Sequence, residues 1–437
     1  MNPLRKVYCR TYQLAFRMAL PFLPYREPKL LDGVQGLADL LVSRHIHQVL
    51  LVTDRGILSH DLTRPLQDAL AEAYIGVSLF ADTVANPTVA NVEAARERYL
   101  ADGCQAIIAF GGGSSMDCAK ACGARIARPG RQLDQMEGLL HVMRRLPLLI
   151  AVPTTAGTGS ETTLAAVITD GETRHKYPIN DFSLIPDYAL LDPDVTLGLP
   201  PQLTATTGMD AMTHAVEAYI GGSTTKGTRQ AAVEAVRLIL ESLPVAYEHG
   251  GDRTARAHML RAAYLAGTAF TKSYVGYIHA VAHSLGGQYG IAHGLANAVL
   301  LPEVLEAYGT AAHKRLGRLA MEVGVASIHD TPAEASRKFI AKLRKMNEDM
   351  GIPRTLAGIR EEDLPRLARN ADHEGNPLYP VPVLMDAHEL QVLYRLVMPK
   401  TEEQSHDTAG NCTGGAKSET VLLDRQNTAP GVSHHSA

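Results

Sequence analysis

Three histidines, His279, His283 and His293, stand within the stretch YVGYIHAVAHSLGGQYGIAHGLANAVLLP, residues 274–302, which holds no Asp, Glu, Lys or Arg. Upstream, residues 207–219 read TGMDAMTHAVEAY and add Asp210 and His214. Asp210 and His214 are four apart, as are His279 and His283, so each pair shares one face of a helix. His293 follows the Gly286-Gly287 pair, read as a helix break, and returns from the next segment. If both stretches are buried helices, five metal-type side chains converge in an apolar interior. One carboxylate with several imidazoles suits Fe(II) or Zn(II), and the sequence does not choose between them. Nor does spacing say which histidine stands outside the ligand set. The constellation reads as a mononuclear, catalytic divalent-metal site.

A second chemistry is written in two loops. Gly111-Gly112-Gly113-Ser114-Ser115-Met116-Asp117 follows the apolar run QAIIAF and opens a helix. Glycines let a phosphate approach the backbone, and the first N–H groups of the helix point at it. Thr154-Thr155-Ala156-Gly157-Thr158 lies in a similar loop, PTTAGTGSE, after LPLLIAVP. Two such loops at the ends of buried strands imply a dinucleotide crevice. Asp54 ends the strand VLLVTD. A carboxylate there can accept both ribose hydroxyls of an adenosine and repel a 2′-phosphate, although taken alone it reads more readily as a solvated turn or N-cap aspartate.

Elements must place these groups. From residue 36 to about 190, short apolar runs alternate with helical patterns, the signature of a parallel α/β sheet. After residue 200 the chain turns into successive Ala-rich helical segments. This predicts an α/β dinucleotide-binding domain over 1–200 and an all-α metal-binding domain over 201–399. The polar stretch 400–437 reads as a disordered tail. Residues 1–35 carry no readable function. Lys120 reads as part of a solvated helix face, and Cys118 and Cys122, four apart, as packing. His313, His373 and His388 sit among charged residues and read as surface groups.

Composition bounds the partners. The chain has 437 residues, 46% hydrophobic and 20% charged, enough for a sizeable core. A net charge of -4 attracts neither nucleic acid nor an anionic membrane. Five scattered cysteines suit a reduced compartment. Arg17 interrupts any signal-peptide core, and no apolar run is long enough to span a bilayer. A cytoplasmic, soluble protein with a small-molecule substrate is the expectation.

The motifs VTDRG, NPT, GGGSSMD, PTTAGTGSE, LDP, TGMDAMTHAVEAY, HAVAHSLGG and HGLANAVLLP occur in order over most of the chain. In these the chain resembles the iron-containing (group III) alcohol dehydrogenases. The resemblance implies a dehydroquinate synthase-like two-domain architecture with NAD and Fe2+, or Zn2+, in the cleft. It implies Asp210, His214, His279 and His293 as metal ligands, and His283 as a proton relay near substrate and nicotinamide. It places cofactor contacts at Asp54, Asn86, Gly112 to Asp117, Thr154 to Thr158, Lys176, Leu191 and Thr196. It further implies a small, short-chain primary alcohol or aldehyde as substrate and a homo-oligomer, a dimer or larger. The chain departs from the family pattern at FTKSYVGYIH, at Ala292 where a proline is usual, and in residues 400–437. Two other readings share the architecture: an NAD-using metal lyase of the dehydroquinate-synthase type, and a non-catalytic assembly protein. The lyase needs a basic pocket, and near the metal motifs only Lys272 offers a cation.

Overall fold

Continuous Val, Ile and Leu runs make strands buried on both faces, and such strands pair in parallel. A computed structural model, describing residues 1–172 and 175–399, carries this through. The predicted tail, 400–437, lies outside the described residues. In chain order the first part holds α1 (Pro3–Ala19), β1 (Lys29–Leu30), α2 (Gly33–Ser43), β2 (Gln48–Val52), α3 (Arg55–Ser59), α4 (Arg64–Glu72), β3 (Gly76–Phe80), α5 (Val89–Ala101), β4 (Ala106–Gly111), α6 (Gly113–Ala127), β5 (Gly138–Leu139), β6 (Leu148–Pro153), β7 (Ala165–Thr169), β8 (Lys176–Asn180) and β9 (Tyr188–Ala189). Then come α7 (Pro201–Ile220), α8 (Lys226–Glu248), α9 (Arg253–Ser273), α10 (Tyr277–Tyr289), α11 (His293–Ala307), α12 (Thr310–Glu322), α13 (Pro332–Asp349), α14 (Leu364–Gly375) and α15 (Ala387–Leu396). An N-terminal parallel-sheet domain thus precedes a C-terminal helical domain.

The main sheet runs β1-β9-β6-β4-β2-β3, and each of its pairings is parallel. Side chains alternate across it. Leu50, Val52, Ile107 and Ala109 share a core with Val92 and Ala95 of α5 and with Cys118 and Cys122 of α6. Val49, Leu51 and Ile108 share the other core with α2 and α4. Both cysteines are fully buried, and burial pushes the Cys118 thiol up to about 12, so they pack rather than react. The chain goes from β2 outward to β3 and returns to β4 on the other side of β2. Strand order therefore reverses between β2 and β4, where α/β sheets open a ligand crevice at their carboxyl ends.

Lys120 departs from the sequence reading. It is buried, not solvated, and its Nζ donates to Ser160 Oγ (3.1 Å), Thr163 Oγ1 (2.8 Å), Thr163 O (3.0 Å) and Ala165 O (2.9 Å). Burial lowers its pKa to about 8. The ammonium ties α6 to the loop after β6, and so joins the two glycine-rich segments. That loop also abuts the helical part. Gly159 has φ +59°, and a Cβ there would lie 2.8 Å from the Gly267 Cα of α9.

In the helical domain α7 is the axis. Nearly all of it from Thr204 to Ile220 is buried, so it carries no solvated face. The helix break expected at Gly286-Gly287 falls later. α10 runs through both glycines and stops at Gly290, in the left-handed region with φ +67°. Residues 1–22, left unread by sequence, form α1, capped by Asn2 and followed by a short helical turn. It docks on the helical part. Arg5 pairs with Asp372 (2.9 and 2.7 Å), Gln13 Nε2 donates to Tyr379 O (2.7 Å), and Cys9 enters the helical core.

The Lys120→Met variant leaves four buried acceptors without their donor. It should lose about 2–4 kcal/mol of stability, read as a lower midpoint in urea.

Candidate metal and nucleotide site

Asp210 and His214 lie one turn apart on α7, His279 is in the first turn of α10, and His293 opens α11. A close helix contact brings the last of these in. A Cβ on Gly294 would lie 2.5 Å from Thr206 O of α7, so only glycine lets α11 start this close. One donor atom from each of Asp210, His214, His279 and His293 falls within 4.8 Å of the others. Nε2 of His293 and of His279 stand 3.3 and 3.8 Å from Asp210 Oδ1. The His214 and His279 rings stack with centroids 4.4 Å apart.

Electrostatics favour a cation here. Burial drives the pKa of His279 well below the ordinary value, lowers His214, and takes His293 down to about 4. The imidazoles are therefore neutral at pH 7, the form that donates a lone pair. Nε2 of His279 is buried with no hydrogen-bond partner. The donor set of one carboxylate and three neutral imidazoles, with an orphaned nitrogen aimed among them, fits a divalent metal.

Two carboxylates escaped the sequence reading. Glu217 Oε2 lies 2.6 Å from Nδ1 of His279, while its Oε1 accepts from the Ile278 N–H at 3.0 Å. It is buried, and burial pushes its pKa up to about 8. It turns Nε2 of His279 toward Asp210. Its signal was present in TGMDAMTHAVEAY, seven residues after Asp210 on the same helix face. Glu374 on α14 lies 2.7 Å from Nδ1 of His283 and accepts from the Tyr379 hydroxyl at 2.8 Å. No sequence pattern links it to His283, 91 residues away. His283 itself is outside the group of four. Its ring stacks on His293 at 5.0 Å, and its side chain is 44% exposed. Burial opposes its protonation, but the Glu374 carboxylate outweighs that, so its pKa is raised.

The crevice at the strand ends has a volume of about 1010 Å³. Of the predicted cofactor residues it brings together Asp54, Gly112, Gly113, Ser114, Ser115, Thr154 and Thr155. Gly112 caps α6, a helix of 15 residues, so the first free N–H groups face the crevice. Asp54 caps α3 by accepting from Ile57 N at 3.0 Å through Oδ1, which leaves Oδ2 toward Ser115. Asn86, at φ +56°, donates its N–H to Ser114 Oγ and accepts from Lys176 Nζ at 2.7 Å. Lys176 also opposes protonation of His283 and His293, so the crevice rim and the histidines adjoin.

The remaining positions do not themselves line the crevice, though Thr158 sits beside it: a Cβ on Gly113 would lie 3.3 Å from Thr158 Cγ2. Met116 packs into the core beside the sheet. Asp117 is half-buried and accepts from Val167 N (3.1 Å) and Ser160 Oγ (3.2 Å). Ala156 is buried, and Gly157 is pressed against Thr207 of α7. Thr158 accepts from Ser160 N at 3.3 Å. Leu191 packs against the helical core, and the buried Thr196 donates to Pro193 O.

Comparison with known proteins agrees with this architecture. Residues 32–193 match the family model for iron-containing alcohol dehydrogenase, and 204–398 match that for the C-terminal part of the Fe-containing alcohol dehydrogenase family. The chain is 39% identical over 346 residues to alcohol dehydrogenase 4 of Saccharomyces cerevisiae, covering 78% of this chain and 89% of the yeast protein. It is 37% identical over 371 residues to 1,3-propanediol dehydrogenase of Klebsiella pneumoniae, covering 83% and 93%. Among solved structures, a 1,3-propanediol oxidoreductase superposes with a TM-score of 0.81 at 34% identity, covering 86% of this chain and 98% of that one. Sulfoacetaldehyde reductase from Bifidobacterium kashiwanohense, in complex with NAD+, superposes at 0.76 with 28% identity, covering 85% and 98%. The chain belongs to the iron-containing alcohol dehydrogenase family.

Proposed function

We propose that the protein is a metal-dependent, NAD(H)-linked alcohol dehydrogenase that interconverts a short primary alcohol and its aldehyde. The observation that carries this reading is the closure of Asp210, His214, His279 and His293 around one point, in a fold whose strand-end crevice is lined by both glycine-rich turns. These four residues are assigned as the holders of Fe2+, with Zn2+ as the second choice. When bound, the ion would supply a Lewis acid for the alcohol oxygen and NAD+ would supply the hydride acceptor.

The protein's own residues do the rest. Glu217 fixes the direction of the His279 ring, so that its Nε2 faces Asp210 without reorganisation. His283, with Nδ1 committed to Glu374, has Nε2 on the opposite ring edge to take the alcohol proton, and its partial exposure lets the proton pass to water. Asp54, Asn86, Lys176 and the N-terminus of α6 hold the nucleotide, and the Asp54 carboxylate disfavours a 2′-phosphate. Lys272 is ion-paired with Glu27 at 2.5 Å, which neutralises the cation that the lyase reading drew on near the metal motifs. Four cysteines, Cys9, Cys104, Cys118 and Cys122, are free and buried, which supports a reduced, cytoplasmic setting. We assign domains to 1–200 and 201–399, and a homo-oligomer, a dimer or larger, follows from the family resemblance.

Three outcomes test the reading. Metal-free protein reconstituted anaerobically with Fe(II), or with Zn(II), should oxidise NADH with short aldehydes and leave NADPH almost untouched. Tight metal and nucleotide binding without turnover on any aldehyde would overturn the substrate class. The His283→Ala variant should lose about 100-fold in kcat while its iron content, measured by mass spectrometry, stays the same. Equal loss of both would make His283 a ligand. Glu217→Ala should bind iron about 10–100-fold more weakly, with turnover recovering as free Fe(II) is raised.

A further inference from the structure

The helix α1 presents to solvent a face that a solvated helix does not have. Leu4, Val7, Tyr8, Thr11, Leu14, Ala15 and Met18 recur at intervals of three and four and are exposed, with no charge among them. Leu4 is 84% exposed, Met18 64%, and Phe22, just beyond the helix, 87%. Helix α13 shows the ordinary case. Its exposed positions are Glu334, Arg337, Lys338, Arg344, Lys345, Glu348 and Asp349, besides Pro332 and Ala341. The apolar stripe of α1 is held outward firmly, because the opposite face is fixed to the body through Cys9, Gln13 and the Arg5–Asp372 pair. It also lies outside the family-matched residues, which begin at 32.

Charge says what such a face meets. Residues 1–26 contain Arg5, Lys6, Arg10, Arg17 and Arg26 and no acid. Lys6, Arg10 and Arg17 follow one edge of the apolar stripe at helical spacing, with the Arg10 guanidinium tied to Val381 O (2.8 Å) and Pro382 O (2.9 Å) and Arg17 exposed beside it. The basic edge continues onto the body: Arg10, Arg17 and Arg229 all lie close enough to Arg315 to disfavour its charge further, after burial. A second copy placed antiparallel on α1 would set these like charges against each other, whereas an anionic lipid surface would be complementary to them. No described helix is long and apolar enough to cross a membrane, so contact is peripheral.

We propose that α1 is an interfacial helix by which the enzyme lies on an anionic phospholipid bilayer, the apolar stripe inserted and the basic edge at the headgroups. The net charge of -4, which argues against a membrane partner, averages away this local asymmetry.

The test is sedimentation of the full-length protein with vesicles of phosphatidylcholine, alone or with about one-third phosphatidylglycerol. Wild type should co-sediment with the anionic vesicles and about tenfold less with the neutral ones, and raised salt should release it. The Leu14→Glu/Met18→Glu double variant should stay in the supernatant, with unchanged NADH turnover and unchanged mass by light scattering, since both side chains are exposed. Failure of wild type to bind anionic vesicles, equal binding to both kinds, or binding by the double variant would overturn the proposal. So would a fall in the variant's mass, which would make a second copy of the chain the occupant.

Discussion

A carboxylate buried without a cation is costly, and the side chains that touch Asp210 bring none. Asp210 is 2% exposed on a helix with no solvated face, and its nearest titratable neighbours are imidazoles that burial keeps neutral. The Asn297 amide donates to it at 2.6 Å, which offsets part of the desolvation but supplies no charge. A divalent ion held by this group would complete the balance. Much of the helical domain follows from holding this group dry: an axial α7, an α11 admitted close by Gly294, and Glu217 buried behind His279 to keep the ring turned inward.

The sheet imposes a matching constraint from the other side. Parallel strands put all their carboxyl ends on one edge, and the reversal of order between β2 and β4 opens that edge. Asp54 leaves β2, the glycine-rich turn leaves β4, and Thr154 leaves β6, so three separate stretches of sequence become neighbours without long loops. Lys120 then locks the second to the third from below. The crevice is thus tied together beneath its two glycine-rich turns, and the loop at Gly159 seats against α9.

Much of this was legible because helical spacing is short-range. The Asp210/His214 and His279/His283 pairs announce one face each, and runs such as QAIIAF announce a buried strand. What was not legible depends on partners distant in sequence. Lys120 looked solvated because the four oxygens that receive it belong to residues 160–165. Glu374 shows no sign of facing His283. Gly286-Gly287 looked like a break, but a helix tolerates interior glycines when its faces are packed, and Gly290 is where the backbone turns left-handed. Met116 and Asp117 belong to the phosphate-loop motif, yet their side chains serve the fold beneath it. α1 was unread because its meaning lies in which face is covered.

That helix has a consequence for the site. Gln13 holds the backbone of Tyr379, the Tyr379 hydroxyl holds Glu374, and Glu374 holds His283. Three hydrogen bonds therefore run from the inner face of α1 to the imidazole at the cleft. The two faces of this one helix answer to different masters: Cys9 and Gln13 can drift only as far as the histidine permits, while Leu14 and Met18 are free to follow the surface they meet. Variation along residues 1–22 should accordingly split by helical phase, and a change in where the enzyme resides need not disturb the chemistry it performs.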